Sequence, residues 1–143
     1  MAELVARTRE FLVRRAACPD MTEKQVLVPG PDHPITVTPS TTTVTVRFGE
    51  RLIARTERAL VLREASYPPV LYLPLEDVDA DVLRPSAHET YCPFKGDASY
   101  YSLTDGDTVV ENAVWSYGTP YDAVAEIADH VAFYPRHVEI SAA

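Results

Sequence analysis

From Thr41 onward, apolar and polar residues alternate with a period of two. In "TTTVTVRFGERLIART", Val44, Val46 and Phe48 alternate with Thr45 and Arg47, and Gly49-Glu50 interrupts the run. That pattern predicts a hairpin. "ALVLRE" and "PVLYLPL" read as two further strands. "YYSLTDGDTVVENAVWSY" reads as a second hairpin around Asp105-Gly106, a strong turn pair. Strict alternation along its returning strand would set Val109, Glu111, Ala113, Trp115 and Tyr117 on one face. "VAFYP" and "HVEI" end the chain as short strands.

Two segments follow a helical period instead. Over residues 3–15, Leu4, Thr8, Phe11 and Leu12 share one face, while Arg7, Arg9, Arg14 and Arg15 lie mostly elsewhere. Cys18-Pro19-Asp20 ends this arm, which is expected to dock on the body or to pair two subunits as a homodimer. Farther on, Thr119 can cap a helix, Pro120 suits its first position and Asp122 completes a capping-box spacing. Val124, Ile127, Ala128 and Val131 would form its apolar stripe, with His130 at its negative end. Between these segments, the prolines of "VPGPDHPITVTPS" favour an extended arm, with His33 as a turn residue. The expected fold class is mainly β: a compact antiparallel β domain with one packed α-helix and an N-terminal helical arm.

Composition narrows the function. A chain of 143 residues suits one domain and buries roughly two thirds of its unfolded surface, enough for a core without staples. The formal charge of −8 and pI near 4.9 repel phosphate backbones, so no nucleic-acid partner is expected. The acidic run "LEDVDAD" reads as a solvated face and lacks the glycine and closing Glu of an EF-hand loop. No apolar run reaches membrane-span length, so no membrane partner is expected. The N-terminus lacks a secretory apolar core, and two cysteines make no disulfide framework; the expected location is the cytoplasm, with reduced thiols.

The stretch "ETYCPFKGDASYY" concentrates the candidate chemistry. Pro93 removes a ladder donor, so a strand ends or bends after Cys92, and Gly96 permits a turn or a close backbone approach. Lys95 and Lys24 are the chain's two lysines. An ammonium beside a thiol favours the thiolate, which makes Cys92 a candidate nucleophile and Lys95 its electrostatic partner. Alternatively, Lys95 orients an anionic or carbonyl group of a ligand, or Cys92 is an inert buried thiol with Lys95 paired to an acid such as Asp97.

Other chemistries lack their signatures. On a strand, His88 and Cys92 would stand about 13 Å apart, too far to share an ion, and no C-x-x-C pair exists. No metal site and no cofactor are expected. G-x-S-x-G, G-x-G-x-x-G and Walker sequences are missing. All eight tyrosines and the single tryptophan, in contrast, lie at or after residue 67. An apolar body with a polar tip suits a ligand-lined wall. The candidate ligand-binding set is Trp115, Tyr100, Tyr117 and Tyr72, with Thr90, His88 and Arg84 from the strand leading into the kink. Tyr100 and Tyr101 must point to opposite faces.

Thr90, Cys92, Pro93, Lys95, Gly96, Ala98 and Tyr100 form a T-x-C-P-x-K-G-x-A-x-Y pattern. With "AVWSY", "HVAFYP", "GPDHPITV" and "LREASYPPVLYLP", this chain resembles an uncharacterised bacterial family, domain of unknown function 427, over about residues 30–140. The resemblance implies a single β domain over 29–143, similar to the β-tent shape of methionine sulfoxide reductase B and yippee-like zinc proteins, with residues 1–28 as an extension. The paired zinc cysteines of those proteins are missing here. So is the Gly-Ser and Asp-x-Asp signature that the family's nucleotidyltransferase-like label would require. The expected function is a small-molecule site at the "CPFKG" kink, catalytic through Cys92 and Lys95 or purely ligand-binding through the Trp115 and tyrosine wall. The remaining alternative is an interaction protein that pairs through its N-terminal helix.

Overall fold

Val44, Val46 and Phe48 alternate into the core along strand β2 (Val44–Phe48), which turns through Gly49 at φ 63° into β3 (Arg51–Thr56). The register slips after Val46, which pairs with Ala54 while Arg47 pairs with Leu52. The extra residue puts adjacent Ile53 and Ala54 both into the core, which strict alternation forbids. The computed structural model describes residues 25–143. The predicted arm over 3–15, its proposed homodimer contact and Cys18 lie outside the described residues.

The remaining strands are β1 (Ile35–Pro39), β4 (Leu60–Glu64), β5 (Val70–Pro74), β6 (Leu83–Cys92), β7 (Gly96–Asp105), β8 (Thr108–Tyr117), β9 (His130–Phe133) and β10 (Glu139–Ala142). They form two antiparallel sheets. The larger has the order β1-β4-β5-β9-β8-β7-β6, and the smaller the order β10-β2-β3. The chain is therefore mainly β, and both predicted hairpins are present. No helix among the described residues is long and apolar enough to cross a membrane.

The larger sheet buries both faces. One packs Leu73, Leu103, Val114, Val131 and Phe133 against Val44, Val46, Phe48 and Ile53 of the smaller sheet. The other gathers Leu62, Tyr72, Ala98, Tyr100, Tyr117 and Ala132 around Val124 and Ile127. Neighbours such as Tyr72 and Leu73 serve opposite cores, so "VLYLPL" reads as a continuous apolar run.

Two sequence expectations are corrected. The predicted α-helix after Thr119 is a 3-10 segment, Asp122–Ile127, whose preceding residue Tyr121 is extended and whose Val124 leaves helical geometry at φ −131°, ψ 29°. Val124 and Ile127, three apart, suit a 3-10 turn into the second core. Asp129, at φ 62°, then reverses the chain, so Val131 lies on a strand and not on a helical stripe. His130 opens that strand, with Nδ1 2.8 Å from the Ala128 carbonyl oxygen. The second correction concerns the face assigned along β8. An irregularity against β7 centres on Asn112, at φ 55°, whose N–H donates to Ser102 Oγ at 3.2 Å. Trp115 and Tyr117 reach the second core, Ala113 reaches the first, and Val109 stays 46% exposed.

Candidate functional site

Pro93 has no N–H to offer, so β6 stops at Cys92, which pairs across to Gly96. Pro93, Phe94 and Lys95 form the hairpin tip. The Lys95 N–H donates to the Cys92 carbonyl at 3.2 Å, Tyr121 N–H to the Lys95 carbonyl at 3.0 Å, and Leu27 N–H to the Pro93 carbonyl at 2.9 Å. Gly96 sits at φ 112°, and a Cβ there would meet the Thr119 carbonyl oxygen at 3.4 Å. Glycine allows both this conformation and this approach. The tip is thereby held against the 119–121 segment, and Lys95 turns inward until only 8% of it is exposed.

Inside, Lys95 Nζ donates to Glu64 Oε1 at 2.6 Å and lies 3.6 Å from Cys92 Sγ. Glu64 Oε2 is 2.7 Å from His33 Nε2, and the His33 ring stacks on Phe94 at 4.1 Å and 5°. Burial pushes the Glu64 carboxyl up, but the hydrogen bonds of Lys95 and His33 outweigh it and hold the group below its ordinary value. This cluster joins opposite flanks of the larger sheet. Lys95 comes from the β6–β7 edge, whereas Glu64 ends β4 and pairs with Ile35 of edge strand β1. The sheet must curl for these flanks to meet.

Within the curl lies a cavity of about 230 Å³, lined by Glu64 and Lys95 together with Leu62, Tyr67, Tyr72, Tyr100, Trp115, Tyr117 and Tyr134. Trp115 Nε1 donates to the Tyr72 hydroxyl at 3.2 Å, and its ring lies 4.5 Å from that of Tyr134. Burial raises the Tyr72 phenol to about 12 and raises Tyr117 as well. Both are therefore neutral hydroxyls at physiological pH, able to donate hydrogen bonds.

Of the residues singled out by sequence, Lys95, Trp115, Tyr100, Tyr117 and Tyr72 line this cavity. Cys92 stands behind Lys95. Thr90 and His88 act one layer back on Tyr100: Thr90 Oγ1 is 2.9 Å from its hydroxyl, and the His88 ring is 4.6 Å from its ring. Arg84 is displaced from the site. It pairs with Ser102 at the far end of β6 from the tip, beyond the Pro85–Glu89 irregularity. The acid paired with Lys95 is Glu64, where the sequence suggested Asp97. Glu64, His33 and Tyr134 were missed, and Tyr67, one of the aromatics suited to a ligand wall, was not in the candidate set. A signal for two of them existed: His33, Glu64 and Lys95 each come from a different one of the stretches "GPDHPITV", "LREASYPPVLYLP" and "TYCPFKG".

The fold and site thus define a mainly β protein with an ion pair set in an aromatic pocket. The family signature described as domain of unknown function DUF427 matches residues 36–143, and the chain belongs to that family. No curated protein matches the chain.

Proposed function

We propose that the aromatic pocket binds a small neutral molecule through a carbonyl group that accepts a hydrogen bond from Lys95. One observation carries this reading: an ion pair, Lys95 with Glu64, lines a cavity otherwise walled by aromatic and aliphatic side chains. Withdrawing two charges from water costs several kcal/mol each before their attraction returns it, so stability alone is a weak reason for the pair. An ammonium has three N–H donors. One meets Glu64 and one lies toward Cys92, which leaves a third for the pocket. Because Glu64 already balances Lys95, the charge count favours a carbonyl over an anion. Tyrosine and tryptophan faces supply the apolar contact, and the Tyr hydroxyls supply further polar ones.

Trp115 is the chain's only tryptophan and lines this pocket, so its fluorescence responds to a molecule bound there. Hexanamide should perturb it saturably. The paired substitution Lys95→Met with Glu64→Gln removes both charges and should weaken binding by roughly tenfold or more, the worth of a charge-assisted hydrogen bond. Unchanged affinity in a folded double variant would refute the role given to Lys95.

A second reading follows from the 3.6 Å separation of Cys92 Sγ and Lys95 Nζ. A carbonyl held by Lys95 would share that ammonium with the thiol. For an electrophilic ligand, sulfur then adds to the carbonyl carbon, the C=O electron pair moves to oxygen, and that oxygen takes up the thiol's proton. Cys92→Ala separates the two readings: it leaves reversible amide binding intact and abolishes covalent capture of an aldehyde.

A further inference from the structure

Strands β5 and β9 pair over only two residues, His130 with Pro74 and Val131 with Leu73. Yet β9 runs on to Phe133 against β8, and β5 runs back to Val70 against β4. Beyond Leu73 and Val131 the two strands part. A groove of about 410 Å³ lies at the parting, with Leu71 and Phe133 on its two sides and Pro69, Pro135 and Ile140 completing its walls. Tyr67, Pro68, Val70 and Trp115 line both this groove and the aromatic pocket, so the two spaces adjoin across Trp115. The charged pair lines only the pocket, and no charged residue lines the groove.

The geometry points to an amphipathic ligand: a neutral amide, ester or ketone whose carbonyl sits at Lys95 and whose alkyl or aryl tail crosses Trp115 into the groove between β5 and β9. This assignment rests on the carbonyl site proposed above and adds the class of molecule it takes. The occupant follows from continuity and polarity. The groove shares four lining residues with the pocket, carries mostly aliphatic, proline and aromatic side chains, and holds no charged group. A purely polar ligand would leave it unused, whereas each methylene placed there leaves water.

The test uses straight-chain primary amides from butanamide to octanamide, titrated against Trp115 fluorescence. Affinity should rise by roughly fourfold per added methylene, the gain for burying one CH₂ group. Pro69 and Pro135 are exposed and line the groove but not the pocket. Pro69→Asp or Pro135→Asp should weaken octanamide by roughly tenfold, because a carboxylate must be desolvated by the tail, and should leave butanamide unchanged. If butanamide binds but octanamide binds no tighter, the tail assignment is wrong and the carbonyl site stands. If no amide in the series binds, the carbonyl site itself falls, and the tail with it.

Discussion

At the residue scale, the Lys95–Glu64 pair governs both stability and chemistry. Lys95→Met alone leaves the part-buried Glu64 carboxylate with His33 as its one remaining ion-pair partner among the described residues. Chemical denaturation should show a loss of about 1–3 kcal/mol, less than for a fully buried pair, and adding Glu64→Gln should restore most of it. The same carboxylate imposes a pH dependence. Its folded value is depressed, so its contribution is complete above the unfolded carboxylate value near 4.3 and fades as pH falls through the lower folded value. The stability difference between the native protein and Glu64→Gln should therefore be largest near neutrality and shrink on acidification to pH 3. A difference that grows toward acid would reverse the sign assigned to Glu64. Lys95 could be singled out because it is rare and sits at a proline-glycine kink; Cys92, singled out with it, does not line the cavity. Glu64 could not: it lies 31 residues from each of His33 and Lys95, and no local spacing links them.

At the scale of the element, the β6–β7 hairpin tip sets where Lys95 points. Gly96→Ala would place a Cβ 3.4 Å from the Thr119 carbonyl oxygen at a φ of 112°. The cost should be about 1–3 kcal/mol of stability, read as a lowered thermal midpoint, together with weaker amide binding as Lys95 shifts. Both hairpins could be read from alternation and from Gly49 and Gly106, whose positive φ values their turns use. The segment 119–131 could not. Val124, Ile127 and Val131 repeat at spacings that fit a helix as well as a 3-10 turn followed by a strand, and Asp129 in the left-handed region decides between them. The face of β8 was misread because Asn112 adopts positive φ only in its pairing with β7. Asparagine tolerates that region but does not announce it.

At the scale of the whole molecule, the larger sheet curls until its flanks meet, and the pocket is the interior of that curl. Its mainly β character was legible in the period-two pattern. Its closure was not, because strand order β1-β4-β5-β9-β8-β7-β6 brings together segments with no local pattern linking them in the sequence. Closure through His33, Glu64, Lys95 and Phe94 also ties binding to the integrity of the sheet. A bound ligand should raise the thermal midpoint, and the rise should grow with the logarithm of ligand concentration over its Kd.

The chain has two lysines, Lys24 and Lys95. Side-chain ¹⁵N-lysine labelling therefore gives two ammonium signals, one of which belongs to the proposed carbonyl donor. On titration with hexanamide, the Lys95 Nζ resonance should move along the same saturation curve as Trp115 fluorescence. A Trp115 response with an unmoved Lys95 resonance would mean that the ligand lies against Trp115 without its carbonyl meeting Lys95, and the proposed recognition would be wrong.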